Sequence, residues 1–580
     1  MFSAYVWNIR LSLEIAKAIK IKKPETVIVF GGPQIPLNSE SFLKAYTFID
    51  LLCHGEGEKV ICLILESTTK QDWINIPSVS YLDMKRNYTK TKNAPRIKEL
   101  DDIPSPYLEG IFDPLMDAYP NEQWLVMWET NRGCPFSCTF CDWGSATQAI
   151  INKFSLERLF KEIDWFKERK IEFVFCCDAN FGILKRDLDI VKYVAKNKLI
   201  YGYPKALSVQ NTKNATERTY QVQKELTNAG LNKGVTLAFQ SLNKDTLKNI
   251  KRSNISPSTF QELQHRFTKD EIQTYTDLII GLPGETYNSF INGISTVIEN
   301  GQHNRIQFSN LSVLPNAEMG SPKYQKKHEL KITETKIINI HGRLTDKENI
   351  YETQKLVVAS KSMPEEDWVK ARAFSWMTAL LHFDKILQIP FILLHKIGNC
   401  KYHEIVESFF KDGIKQFPIF SNIQSFFIKM ARDIQNGGPE YCLSEKWLNI
   451  WWPPDELILI NLCTENNLDN FYSEAEHLLR LLLKEKQIEL DNNLLRESLF
   501  LNKSLLKLPF QKYDLQIELS YNIWDFYYNH LRGIDIPIIQ ESCQYTIDRT
   551  SMVWFSWEDW CQEVIWYGNK KGAYLYRLNH

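Results

Sequence analysis

The sequence predicts an α/β protein: a partial (β/α)6 barrel of parallel strands, with a partial Rossmann-like domain before it and a mostly helical, aromatic-rich domain after it. Three observations predict this. Strand-like and helix-like runs alternate six times between residues 122 and 322. Residues 1–67 run strand, helix, strand, loop, strand, as in a doubly wound sheet. From residue 323 to 580 the chain turns helical and dense in tryptophan, and residues 68–121 form a connector.

At 580 residues the chain predicts two or three domains, and its 44% hydrophobic content supplies a substantial core. Lys and Arg total 69 against 70 Asp and Glu, a balance with no global drive toward nucleic acid or a membrane surface. The 12 cysteines are not arrayed as a disulfide framework. Free thiols predict a reducing cytoplasm, and no signal-peptide pattern is read. The longest apolar runs, such as Ile389 to Leu394, fall far short of the ~20 residues that span a bilayer.

Met1 to Val6 reads as a short strand. Trp7 to Lys20 reads as a helix, with Ile9, Leu13, Ala16 and Ile19 near helical spacing, stopped by Pro24. Thr26 to Phe30 is a continuous apolar strand turned by Gly31-Gly32-Pro33. Phe48 to Cys53 is the next strand, ending in His54-Gly55-Glu56-Gly57-Glu58. Glycines directly after a strand let a ligand approach the backbone, although such a turn more often only closes a βα unit. The connector holds short strands and ends in Ile103-Pro-Ser-Pro-Tyr107.

In the barrel region, strand Trp124–Thr130 precedes helix Ser155–Lys170, where Leu156, Leu159, Phe160, Ile163 and Phe166 share a face. Phe173–Cys177 precedes Arg186–Lys196, and Lys205–Ser208 precedes Ala215–Ala229. Val235–Phe239 precedes Asp245–Ile250 and a second helix after Pro257. Thr274–Ile280 precedes Thr286–Asn300, and Arg305–Leu311 closes the set. Functional residues of such a fold gather at the carboxyl ends of the strands. Those ends are polar: Asp178 and Asn180 after strand two, Ser208 after strand three, Gln240 and Ser241 after strand four, and Gly281-Leu-Pro-Gly284-Glu-Thr after strand five. An Asx turn is the plain alternative for Asp178 and Asn180. Cys176 and Cys177 are adjacent, face opposite ways on a strand, and read as core or barrel-lining thiols.

The chemistry centres on Arg132 to Gly144, RGCPFSCTFCDWG. Cys134, Cys138 and Cys141 have a C-x3-C-x2-C spacing, and three thiolates this close can hold three corners of a [4Fe-4S] cluster. No fourth cysteine stands in the loop, so one iron is left open to another ligand. The spacing differs from paired zinc knuckles.

With Phe140 as the aromatic before the last cysteine, this loop resembles that of the radical S-adenosylmethionine (SAM) superfamily. FSAYVWNIRLSLEIAKAIK, VIVFGGP and the HGEGE turn resemble the later part of the cobalamin (B12)-binding domain found before many such barrels. The chain carries neither the earlier β/α units of that domain nor its D-x-H-x-x-G loop. The resemblance implies a class B-like, cobalamin-dependent methyltransferase. It would cleave SAM to a 5′-deoxyadenosyl radical and methylate an unactivated carbon of a small metabolite or peptide. It further implies SAM contacts at Phe140, Asp178, Asn180, Ser208, Gln240, Ser241, Arg252, Gly281 and Gly284. Cobalamin contacts are implied at Ser3, Gly31, Gly32, Gly55 and Glu56, and flavodoxin or ferredoxin as electron donor. Two other functions fit the same residues: cobalamin-independent radical oxidation, isomerisation or ring formation, and a non-catalytic iron–sulfur scaffold.

In the last region Glu366 to Gln388 has a helical period with Pro364 before it. The final stretch SMVWFSWEDWCQEVIWYGNKKGAYLY reads as aromatic core. His341, His382, His395 and His403 have no metal-ligand spacing, and no second cysteine triad is present.

Overall fold

A computed structural model describes every residue except 68, 144–148, 213, 215–216, 233, 344–349, 412, 570–571 and 580. Gly144 and Ala215, which end two of the stretches read above, lie outside the described residues.

Three short strands near the N-terminus, Phe2–Ser3, Val29–Gly31 and Leu51–Cys53, run parallel and pair in chain order. The second and third are wholly buried, as parallel strands covered on both faces must be. Helix Ile9–Lys22 buries Leu13 and Ala16 and ends before Pro24. Strands Val79–Leu82 and Tyr88–Lys90 add antiparallel beyond Leu51–Cys53 and complete a five-stranded sheet. The stretch read as a connector therefore supplies two strands of the N-terminal layer. One face of the sheet packs around Leu13, Phe30 and Leu52, the other around Val29, Leu51 and Trp73.

Six parallel strands follow in two sheets of three. Leu125–Trp128, Phe173–Cys176 and Ala206–Ser208 form the first. Val235–Thr236, Thr274–Ile280 and Ile306–Asn310 form the second. Helices Leu156–Glu168, Asp187–Tyr201, Glu217–Asn228, Lys244–Asn249, Pro257–Lys269 and Tyr287–Glu299 alternate with them. Parallel strands joined by helices put all their carboxyl ends on one side. The capping is local chemistry: the hydroxyls of Ser155 and Thr286 accept from Arg158 N and Ser289 N at the two helix starts. Strand Thr274–Ile280 alternates fully and partly buried residues, one face on the core and one facing inward. Strand four is shorter than expected. Past Thr236 only an isolated bridge joins Gln240 to Leu278, where Gln240 takes a left-handed backbone with φ 66°.

After Pro322 a hairpin, Lys331–Lys336 with Thr353–Ala359, leads into a mostly helical region. The helix read over 366–388 is two helices. Glu365–Thr378 widens into a π turn at Ala379–Phe383, the chain breaks, and Gln388–Lys396 starts anew. Asp384 sits at that break, buried, 3.0 Å from Arg305 Nη1. A three-stranded antiparallel sheet, Leu515–Tyr521, Gln540–Ile547 and Leu578–Asn579, lies near the C-terminus. Trp368, Trp452 and Trp560 are fully buried, as expected of the aromatic stripes. One apolar cluster runs from Val235, Leu278 and Ile306 into Trp368, Phe391 and Phe471, so the second sheet and the helical region share a core. Among the described residues no single helix is long and apolar enough to cross a membrane.

Candidate functional site

The cysteine loop begins where strand Leu125–Trp128 ends. Asn131–Arg132 pairs antiparallel with Asn152–Lys153 and closes the loop at its base. Gly133 lies at φ 131°, and a Cβ there would stand 2.0 Å from Ile150 O, so the crossing at the base requires glycine. Thr139 N donates to Ile250 O at 3.0 Å, and Met319 N donates to Thr139 O at 2.9 Å. The loop is thus pinned between the end of helix Lys244–Asn249 and the closing turn after strand six. Phe140 packs against the apolar cluster that contains Ile250, Leu282, Leu311 and Met319, which gives the motif aromatic an anchoring task. Cys134 and Cys138 are buried and Cys141 is partly exposed.

Among the described residues no three His, Cys, Asp or Glu side chains converge as they would on a single metal ion. The C-x3-C-x2-C spacing of the loop suits three corners of a cubane. Two buried polar atoms beside it fit the same reading. Asn180 Nδ2 donates to Cys134 Sγ at 3.1 Å, while Asn180 Oδ1 is buried with no hydrogen-bond partner among the described residues. Arg252 is held by Asn254 Oδ1 at 2.8 Å and Ala238 O at 2.6 Å, its guanidinium lies beside Cys138, and its Nη1 is buried without a partner among the described residues. Burial pulls the Arg252 pKa below its ordinary value, opposed by the nearby Cys138 and Cys141.

Asp178, expected to meet a ligand, is spent on the protein instead. It accepts from Thr130 N at 2.8 Å, Asn131 N at 3.2 Å and Asn131 Nδ2 at 2.6 Å, and also from the Thr130 hydroxyl. Burial raises its pKa to about 7, against the pull of these donors. It therefore locks the end of strand one, from which the cysteine loop departs. Ser241 is likewise occupied: its hydroxyl donates to the buried Glu285 carboxylate, which also accepts from Ser289. The half-buried side chains of Ser208 and Gln240 make no hydrogen bond to described residues. Gln240 carries the left-handed backbone noted above, a conformation that costs energy and collects at functional positions. Gly281 and Gly284 have positive φ. Cβ atoms there would meet Trp368 Nε1 at 3.3 Å and Asn249 Nδ2 at 2.6 Å, so close packing already accounts for both glycines. Cys176 is buried in the core, and Cys177 is half-buried on the opposite side.

The N-terminal candidates gather at the carboxyl ends of their three parallel strands, the usual ligand crevice of such sheets. Ser3 is exposed at the edge strand. Gly32 has φ 100°, and a Cβ there would lie 2.7 Å from Ala4 O. Gly55 has φ 73° with nothing within 4 Å of a Cβ position. Gly31 would make only ordinary contact with Cys53, at 3.6 Å. Glu56, expected to face a cofactor, is engaged by the protein: it accepts from Ile97 N at 2.6 Å and lies 3.5 Å from Arg132 and 3.6 Å from Arg96.

Two ties set these strand ends against those of the six-stranded region. Asn316, in the closing turn, donates to Pro33 O and Ile35 O at 2.9 Å and accepts from Leu37 N at 2.9 Å. Arg132 is bidentate on Glu129, at 3.1 and 2.9 Å, and reaches Glu58 at 2.8 Å. Sequence reasoning missed Glu129, Arg132, Glu58 and Glu285. The one signal for the first pair was a Glu and an Arg three residues apart directly before Cys134.

Residues 128–295 match the Radical SAM superfamily. Over 418 residues the chain is 36% identical to the cobalamin-dependent radical SAM methyltransferase TokK of Streptomyces tokunonensis, covering 70% of this chain and 60% of that protein. Over 441 residues it is 35% identical to the 2-(S-pantetheinyl)-carbapenam-3-carboxylate methyltransferase of Streptantibioticus cattleyicolor, covering 74% of this chain and 64% of that one. The chain thus spans less than two thirds of the length of each relative. A solved structure of TsrM, a radical S-adenosylmethionine methyltransferase from Kitasatospora setae, aligns with a TM-score of 0.48 and 14% identity over 63% of this chain and 73% of that one.

Proposed function

This chain belongs to the radical SAM superfamily, and from that premise we propose that it is a cobalamin-dependent methyltransferase acting on an unactivated carbon of a small metabolite. The observation that carries the reading is the pinned three-cysteine loop with the unpartnered Asn180 Oδ1 buried beside it. When bound, the cluster supplies the electron that cleaves SAM, and cobalamin supplies the methyl group.

The residues divide the remaining work. Cys134, Cys138 and Cys141 would hold the cluster, on a loop that Phe140 and Thr139 fix to the core. Asn180 Oδ1 is an acceptor for an ammonium group. Arg252 offers a planar donor to a carboxylate, and Ser208 and Gln240 offer unspent polar groups. The turn Gly281–Gly284, packed through its glycines on Trp368 and Asn249, would meet adenine with its backbone. Ser3, Gly32 and Gly55, with Gly31 behind them, would flank the nucleotide tail of cobalamin at the ends of the N-terminal strands. Asp178 holds the loop origin rather than a ligand. The six strands are read as a partial barrel whose interior excludes water from the reacting atoms. The domain division proposed is an N-terminal layer from residue 1 through strand Tyr88–Lys90, a connector to 121, then 122–322 and 323–580.

The substrate printed for the second relative, a carbapenam-3-carboxylate with an S-pantetheinyl arm, is the first small molecule to test. Reducing cytoplasm and a flavodoxin or ferredoxin donor complete the reading. Anaerobic incubation with SAM, reductant, hydroxocobalamin and that substrate, so that every methyl group must come from SAM, is expected to give both 5′-deoxyadenosine and S-adenosylhomocysteine. Deoxyadenosine alone would refute methyl transfer and leave a cobalamin-independent radical reaction.

A further inference from the structure

The two polar atoms of Asn180 have different fates. Nδ2 donates to Cys134 Sγ at 3.1 Å, and Oδ1 is left buried without a partner, in a side chain that is 1% exposed. The orientation follows from chemistry: a thiolate sulfur only accepts, so the amide end on Cys134 is the NH2 group. A buried acceptor without a donor is unfavourable, and the cost is relieved when a ligand donor arrives.

Hydrogen bonds to the sulfurs of an iron–sulfur cluster are one of the protein's levers on its potential. The reduced cluster carries one more negative charge than the oxidised one, so an N–H aimed at sulfur favours the reduced form. The other two cysteines are served differently. The cation near Cys138 and Cys141 is Arg252, clamped by Asn254 and the Ala238 carbonyl, a fixed charge. The Cys134 corner is served by a neutral, conjugated amide whose other end faces an unfilled hydrogen-bond demand, whereas the unfilled Nη1 of Arg252 belongs to a group that is already charged.

We propose that Asn180 is a positioning residue that sets the reduction potential of the cluster through its bond to Cys134, and makes that potential respond to the ligand bound at Oδ1. The coupling is a property of the amide. A donor on Oδ1 polarises the conjugated group and strengthens its N–H as a donor, as in any hydrogen-bond chain. Ligand arrival at the open side would then raise the potential of the cluster by way of one planar side chain. The inference rests on the cluster reading above.

The test is a potentiometric titration of the reconstituted, full-length holoprotein, followed by the EPR signal of the reduced cluster, with and without SAM. Asn180→Leu keeps the volume and removes both polar atoms; Asn180→Asp keeps the shape and removes the donor. Both are expected to lower the reduced-to-oxidised ratio at the wild-type midpoint about tenfold or more, equivalent to ~59 mV for a one-electron couple. Asn180→Leu is also expected to lose the part of the SAM-induced shift carried by the amide. Full iron content with an unchanged midpoint in either variant would overturn the proposal. So would loss of the cluster from both variants, which would make Asn180 a purely structural support. A wild-type protein that takes up no cluster would overturn the functional reading itself, and this inference with it.

Discussion

Arg132 Nη1 lies 2.8 Å from Glu58 Oε1, so the residue two before the first cysteine of the loop grips a carboxylate of the N-terminal layer. The remaining edge of the same guanidinium is bidentate on Glu129, at the end of the strand from which the loop departs. One side chain therefore fixes three things at once: the strand end, the loop base and the HGEGE turn.

Arg132→Lys tests this tie. An ammonium is a point donor and cannot span both carboxylates as the planar fork does. The groups are between 18% and 35% exposed, so solvent screens the pairs and the loss of stability is expected near ~1 kcal/mol. The larger effect is on register between the two sets of strand ends. Cluster content should be retained while 5′-deoxyadenosine formed per methylated product rises severalfold. A product ratio equal to wild type would reduce Arg132 to an ordinary ion pair.

Asp178→Ala removes an acceptor that answers two backbone and two side-chain donors of Thr130 and Asn131. Those donors stay buried and unpaired, a cost of about 2 kcal/mol or more. The denaturation midpoint of the cluster-free protein should fall accordingly. Because Asp178 positions the loop rather than a ligand, the affinity of reconstituted protein for SAM should change far less than in Asn180→Leu. A selective loss of SAM binding with unchanged stability would return Asp178 to the ligand role.

The alternation of strands and helices over residues 122–322 was legible because each strand is a continuous or alternating apolar run and each helix a 3.6-residue pattern. Thr274–Ile280 is found with the expected bounds, and Ser155 and Thr286 cap their helices. The cysteine loop was legible because its three ligands and its aromatic are local in sequence. The task of Asp178 was not, since its partners stand 47 and 48 positions away and nothing in the DANF string tells a clamp from a ligand. Arg132 with Glu58 is the same case: an ion pair between layers leaves no periodic trace. The strands Val79–Leu82 and Tyr88–Lys90 are short and partly polar, so they read as connector until their pairing partner is known.

Gly32→Ala and Gly55→Ala separate two kinds of glycine. Both have positive φ, which costs an L-residue about 1–2 kcal/mol. At Gly32 the new methyl would also stand 2.7 Å from Ala4 O and 2.9 Å from Ala4 N, so strands Phe2–Ser3 and Val29–Gly31 must part. At Gly55 nothing lies within 4 Å. Gly32→Ala should lose bound corrinoid and stability together. Gly55→Ala should keep the fold, and any corrinoid lost there would report contact with the ligand itself. Full retention of corrinoid by Gly32→Ala would show that cobalamin does not sit at this turn.

Acid should unfold the helical region first, by way of three histidines. His303 Nδ1 and His382 Nε2 are 3.2 Å apart, and the His530 ring centroid is 5.2 Å from that of His303. Burial pushes His382 to about 3 and His530 to about 4, and His303 well below its ordinary 6.5; Lys385, Lys396, His265 and His395 push the same way, and only Asp535 opposes them, at His530. Between pH 6.5 and about 4 the unfolded chain therefore binds protons that the folded chain refuses, and stability falls as pH falls through that window. A tenfold difference in proton affinity between the folded and unfolded chain is worth about 1.4 kcal/mol. Asp178, raised to about 7, and Asp187, raised to about 6, contribute with the opposite sign, so the wild-type slope alone does not isolate the imidazoles. His382→Phe does, because aromatic Phe383 and Phe391 already surround that ring. Denaturant midpoints at pH 7.5 and 5.0 should differ less in His382→Phe than in wild type, and an equal drop in both would show that the burial of these rings is not what acid attacks.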